Sequence, residues 1–148
     1  MEITLGDDDT EFGNRSRLNI LLAEDDENLR SMLAIVLRRE GHRVQEFRNG
    51  GDLEAHLATA LVAGQSLPRD LFIVADLRMP EMDGLTVIRT LIQRGLAAPF
   101  ILLTAFGSPE VHTAATRLGA IRVLDKPFDF NDLRLAIRNY ARARSVAA

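Results

Sequence analysis

The sequence predicts an α/β domain, a doubly wound sheet of five parallel strands in the order 2-1-3-4-5 with five helices. Three observations carry this. Short unbroken apolar runs, Ile20-Leu21-Leu22-Ala23, Leu71-Phe72-Ile73-Val74-Ala75 and Phe100-Ile101-Leu102-Leu103, have the composition of strands covered on both faces. Between them lie segments whose apolar residues recur every three or four positions, the period of a helix with one buried face. The connections are short, and right-handed crossovers between successive parallel strands then allow few topologies.

Taken in order, the first strand runs from Asn19 and stops at Glu24-Asp25-Asp26. Asp26 reads as the cap of a first helix, in which Leu29, Met32, Leu33, Val36 and Leu37 share a face and Gly41 supplies the left-handed stop. Residues 42–47 form a weaker second strand. Leu53, Leu57, Ala60 and Leu61 mark a second helix that ends near Gly64, followed by a polar loop containing Pro68. The third strand ends on Asp76, and a third helix after Gly84 carries Leu85, Val87, Ile88, Leu91 and Ile92. The fourth strand ends at Thr104. Ser108-Pro109, a capping serine with proline at the first helical position, opens a fourth helix that runs to Leu118 before Gly119. A fifth strand covers about 122–124, and a last helix after Asp129 buries Leu133, Ala136, Ile137 and Tyr140. This is the flavodoxin-like arrangement, in which strands 1 and 3 are neighbours at the switch point where ligands bind.

A length of 148 residues suits one well-cored domain. We divide the chain into an acidic N-terminal tail at 1–17, containing Asp7-Asp8-Asp9, a single domain at 18–144 and a short C-terminal tail at 145–148. Eighteen basic against 21 acidic residues give a net charge of −3, so no global positive field holds nucleic acid. No run reaches the roughly 20 apolar residues of a membrane span, and the N-terminus lacks a signal peptide's positive charge, which makes the cytoplasm the expected location. The absence of cysteine excludes disulfides, zinc-thiolate sites and thiol nucleophiles.

In a parallel sheet the ends of the first, third, fourth and fifth strands lie on one edge. That places Glu24, Asp25, Asp76, Thr104 and Lys126 together. Carboxylates converging at about 4 Å repel by roughly 4 kcal/mol per pair at an effective dielectric of 20, so the edge calls for positive charge. Mg2+, or Mn2+, suits carboxylates with a backbone carbonyl, which Arg78 can offer whatever its side chain. Lys126 adds a fixed cation. The resulting site is suited to an anion, and phosphoryl transfer, which depends on positioning and charge neutralisation, fits it with Asp76 as nucleophile.

The blocks ILLAEDD, VADLRMPEMDG, ILLTAFGS and DKPF, in this order and each at a strand end, closely resemble the four motif blocks of bacterial response-regulator receiver domains over about residues 19–142. The resemblance implies a phosphoacceptor switch. In it Glu24 and Asp25 bind Mg2+, Asp76 is phosphorylated, Thr104 contacts the phosphate, Lys126 pairs with it, and the Lys126–Pro127 bond is cis. It implies a histidine kinase or histidine phosphotransfer protein as donor, self-catalysed transfer and dephosphorylation with no other enzymatic activity, and an unknown downstream protein that reads the surface of the fourth helix, fifth strand and fifth helix. The same face is a candidate for homodimerisation. Few residues follow the last helix, which points to a stand-alone receiver whose output lies elsewhere. The chain departs from the family where an aromatic usually stands three residues before the lysine. Val123 occupies that place. Arg78 and Phe106 stand where family side chains tune dephosphorylation.

Each residue also has a plainer reading. Asp76 and Thr104 alone would be helix-cap groups and Lys126 an exposed charge, but capping does not explain their convergence. His42, His56 and His112 lack metal-ligand spacing and read as surface or structural residues. Phe47, Phe72, Phe100 and Phe128 read as core, and Arg134, Arg138, Arg142 and Arg144 as a solvated basic face or a docking surface. Two other functions compete: a pseudo-receiver that binds partners without phosphorylation, which the complete acid set argues against and Val123 keeps open, and an Mg2+-dependent aspartyl phosphatase, which would want an acid where Arg78 stands.

Overall fold

The computed structural model describes residues 16–64, 66–105 and 107–147. From Asn19 to Ala147 strands and helices alternate: β1 (Asn19–Ala23), α1 (Glu27–Arg39), β2 (Arg43–Phe47), α2 (Gly50–Val62), β3 (Leu71–Asp76), α3 (Gly84–Gln93), β4 (Phe100–Thr104), α4 (Pro109–Arg117), β5 (Arg122–Asp125) and α5 (Phe130–Ala147). The strands form one parallel sheet in the order β2-β1-β3-β4-β5, as the sequence predicts.

The apolar runs are explained by two-sided burial. Ile20, Leu22, Phe72, Val74, Ile101 and Leu103 point to one face, where Leu33 and Leu37 of α1 and Leu133, Ala136 and Ile137 of α5 cover them. Their neighbours Leu21, Ala23, Ile73, Ala75, Phe100 and Leu102 point to the other, beneath Leu53 and Leu57 of α2, Val87, Ile88 and Leu91 of α3, and Ala115 of α4. Alternation along each strand therefore feeds two cores. β2, at the sheet edge, buries only Phe47, which accounts for its weaker apolar signal.

Helix ends follow the capping chemistry. Side chains of Asp26, Asn49, Asp83 and Ser108 accept hydrogen bonds from backbone N–H groups of the first turns of α1, α2, α3 and α4. At α5 the Asp129 carboxylate accepts from Asn131 N at 2.8 Å. Gly41 and Gly119, just past α1 and α4, adopt φ of 98° and 99°, which a β-carbon disfavours.

Three expectations need correction. Met32 and Ile92 are 53% and 41% exposed, because the stripes of α1 and α3 turn through Arg30–Leu33–Leu37 and Leu85–Ile88–Leu91 instead. The last helix runs through Ala147 rather than giving way to a tail after 144. Nothing in its alanine- and arginine-rich end breaks a helix, and Ala141 is buried. The basic face of α5 is partly structural, since Arg134 and Arg138 both hold Glu40 at the C-terminal cap of α1, with Arg138 Nη2 2.7 Å from Oε1. The tail assigned to 1–17 lies outside the described residues except for Ser16 and Arg17, as does Phe106.

Candidate functional site

The C-terminal edge of the sheet gathers the acids. β1 and β3 are adjacent and in register, Ala23 opposite Ala75, so Glu24 and Asp76 leave the sheet side by side. Glu24 is fully buried, Asp76 is 5% exposed, and Asp25 turns outward. Each offers a carboxylate oxygen to one cluster whose members lie within 4.8 Å of one another. Lys126 reaches in from the opposite side, its Nζ donating to Glu24 Oε1 and to Asp76 Oδ2, both at 2.9 Å. One ammonium thus bridges two of the three clustered carboxylates, and on Asp76 the oxygen it bonds is Oδ2.

The backbone around these groups is fixed. Lys126 N donates to Thr104 O at 2.7 Å and Leu77 N to Leu103 O at 2.7 Å, extending the ladder past the strand ends. The Lys126–Pro127 bond is cis, as the resemblance implies. Gly84 opens α3 directly beneath Asp76, where a β-carbon would stand 2.6 Å from the Asp76 carbonyl oxygen. The loop from Leu77 to Asp83 is seated on α2. A β-carbon on Gly50 would overlap the Met82 carbonyl oxygen, and the Glu81 carboxylate lies over Gly51 in the first turn of α2, where helix polarity favours negative charge.

Electrostatics follow from burial. Desolvation drives the Glu24 carboxyl up to about 7, although the Asp26 N–H, 3.0 Å from Oε2, and the Lys126 ammonium both favour its charged form. Burial would lower Lys126, but hydrogen bonds to Glu24 and Asp76 outweigh it and hold the ammonium above its ordinary value. The cluster is short of positive charge.

The residues singled out in the sequence therefore meet, in part by direct contact. Glu24, Asp25, Asp76 and Lys126 form one cluster, and Thr104, fully buried, closes β4 on the same edge. Arg78 follows in the adjoining loop, exposed. Val123 is half-buried against the core beneath α2, α3 and α4. His42 is buried, its Nδ1 accepting from Leu18 N at 3.1 Å, and His56 lies against the Phe47 ring, both structural.

Sequence reasoning missed Arg30. Buried in α1, it donates from Nη1 to the Glu24 carbonyl at 2.9 Å and from Nε to Glu46 at 3.3 Å, anchoring the backbone of the acid pair. Its signal was present: an arginine on the stripe that continues through Leu33 and Leu37 implies a buried partner. Among the described residues no helix is long and apolar enough to cross a membrane.

The family profile of the response regulator receiver domain matches residues 20–138. The chain is 31% identical over 127 residues to the regulatory protein AtoC of Escherichia coli, covering 86% of this chain and 26% of that protein. It is 34% identical to the response regulator protein PmrA of Pseudomonas aeruginosa, covering 84% and 53%. It thus spans about a quarter to a half of the length of these relatives. Among solved structures, the FixJ-N crystal structure superposes with a TM-score of 0.68 at 29% identity, covering 84% of this chain and 94% of that one. The receiver domain of a LuxO-type repressor from Vibrio parahaemolyticus has a TM-score of 0.75 at 21% identity, covering 88% and 95%, a likeness of fold. Sequence blocks, strand order, acid cluster and family profile agree, and this chain belongs to the response regulator receiver domain family of two-component signalling.

Proposed function

We propose that this receiver domain is a phosphoacceptor switch in a two-component system or phosphorelay, with Asp76 as the acceptor. The observation that carries the reading is the bridge from Lys126 to Asp76 and Glu24, at 2.9 Å each, inside a cluster of three carboxylates. Asp76 Oδ1 attacks the phosphorus of a phosphohistidine on a kinase or phosphotransfer protein. The P–N bond breaks, the imidazole leaves with a proton, and an acyl phosphate forms. Lys126 and the Thr104 hydroxyl offset the charge on the phosphoryl oxygens. The acid cluster suits a hard divalent cation, which Glu24, Asp25, Asp76 and the Arg78 carbonyl would hold; Mg2+ there supplies the positive charge that the three carboxylates and the incoming anion require.

Self-catalysed transfer and loss of the phosphoryl group complete the cycle, and the cytoplasm is where such donors meet it. The readout surface is α4–β5–α5, where Ile121 is exposed and α4 buries only Ala115 among its residues. A downstream protein, or a second copy of the chain, docks there. Incubation with acetyl phosphate and Mg2+ should give a one-phosphate mass adduct that Asp76→Asn abolishes. No adduct with any donor, or an adduct that survives in Asp76→Asn, would sink the reading.

A further inference from the structure

We propose that His112 and Asp125 form a latch that holds α4 to the end of β5, and that the phosphosite acts on α4 by loosening it. The second clause rests on the reading of Asp76 as phosphoacceptor. His112 Nε2 lies 3.1 and 3.0 Å from the two oxygens of Asp125. A carboxylate only accepts, so Nε2 carries the proton.

A third segment touches the pair from one side. A β-carbon on Gly107, in the β4–α4 loop, would overlap Asp125 Oδ1 and stand 3.0 Å from His112 Nε2. Loop, helix and strand therefore converge on one carboxylate. The apolar hold on α4 is small: among its described residues Ala115 alone is buried, with Val111, Ala114 and, at its C-terminal cap, Leu118 partly buried against the same core.

The latch stands one peptide unit from the phosphosite. Asp125 is the register partner of Thr104 and precedes Lys126, whose N–H donates to the Thr104 carbonyl and whose ammonium reaches Asp76. A phosphoryl group on Asp76 takes the Lys126 ammonium as its own partner and draws on Thr104. Either shift moves Asp125 relative to His112. Val123, two residues earlier, offers only a short aliphatic chain, so on this strand the polar link to α4 falls to Asp125.

The test is hydrogen exchange of the α4 amides in the full chain, with and without acetyl phosphate and Mg2+. It compares wild type with His112→Ala, Asp125→Asn, the double variant and Gly107→Ala. The side chains of His112 and Asp125 are 40% and 53% exposed, so the variants should fold, and a thermal melt checks this. Without donor, each single variant should exchange about threefold faster in α4, the size of effect a partly exposed ion pair supports. The double variant should be no faster than either single, Gly107→Ala should match them, and the amides of α2 should be unchanged. Donor should speed α4 exchange in wild type and add little in the variants.

Wild-type rates in both single variants, or an additive double variant, would overturn the latch. A donor effect as large in the variants as in wild type would overturn its link to the phosphosite. Intact mass in the same samples separates the two readings: a missing adduct removes the phosphoacceptor reading and the second clause with it, and the donor-free arm decides the latch alone.

Discussion

Two charge clusters sit at the two ends of α1, built from the same kinds of side chain in opposite proportion. At its C-terminal cap, Glu40 stands between two guanidiniums, Arg134 and Arg138. Burial alone would raise that carboxyl, but the bonds from Arg138 and Arg134 hold it below its ordinary value. At the other end one ammonium, Lys126, bridges Glu24 and Asp76, which cluster with Asp25, and Glu24 is pushed up to about 7. The first cluster is over-neutralised and clamps α5 to α1. The second is under-neutralised and has capacity for more positive charge. The ratio of charges, more than their presence, separates a clamp from a site.

The sharpest way to break this contrast is Lys126→Met. Removing the ammonium that bridges the buried Glu24 and Asp76 should destabilise the Mg2+-free protein by about 3 kcal/mol, with most of the loss recovered on adding Mg2+. Urea unfolding with and without the ion measures it, and a loss that Mg2+ leaves untouched would make Lys126 a structural residue. Next comes pH. Glu24 rises from 4.5 to about 7 on folding, so its protonated form is favoured in the folded state. Its contribution is present below the lower value and is lost as pH rises through the upper one. Without Mg2+, stability should therefore fall between pH 5 and 8 by on the order of 1–2 kcal/mol, and Glu24→Gln should flatten that slope.

Asp25→Asn should weaken Mg2+ binding about tenfold, roughly 1.4 kcal/mol, by calorimetric titration, while leaving metal-free stability within about 0.5 kcal/mol. The smallest effect should come from the clamp. Glu40→Gln should cost about 1 kcal/mol at neutral pH, with no response to Mg2+. Because the Glu40 carboxyl is held below 4.5, that difference should persist through pH 5 and vanish only as acid protonates it.

How much of this was legible in the sequence depended on range. Strand-end positions were, because a buried strand and a crossover carry Glu24, Asp76, Thr104 and Lys126 to one edge whatever the details of packing. Caps were legible too, since Asp26 and Ser108 act on amides three residues away. Pairings between distant elements were not. Nothing local links Glu40 to Arg138 or His112 to Asp125, and which arginine of α5 turns inward depends on how that helix lies against α1. Met32 shows the same limit, since it and Ile35 stay exposed on α1 while Leu33 and Leu37 take the buried positions.

The glycine contacts around the loop from Leu77 to Asp83 have a further consequence. At Gly84 and Gly50 backbone meets backbone with no room for a methyl group, while Leu77, Met79 and Met82 pack against the core and the Glu81 carboxylate lies over Gly51, so this loop is seated from both sides. A loop held that way keeps its path when its outward residues change. Arg78 and Pro80, both exposed, can be exchanged one at a time on a constant frame, much as type is changed in a fixed tray. Variation in the chemistry presented beside Asp76 is open to point substitution at this loop without redesign of the fold beneath.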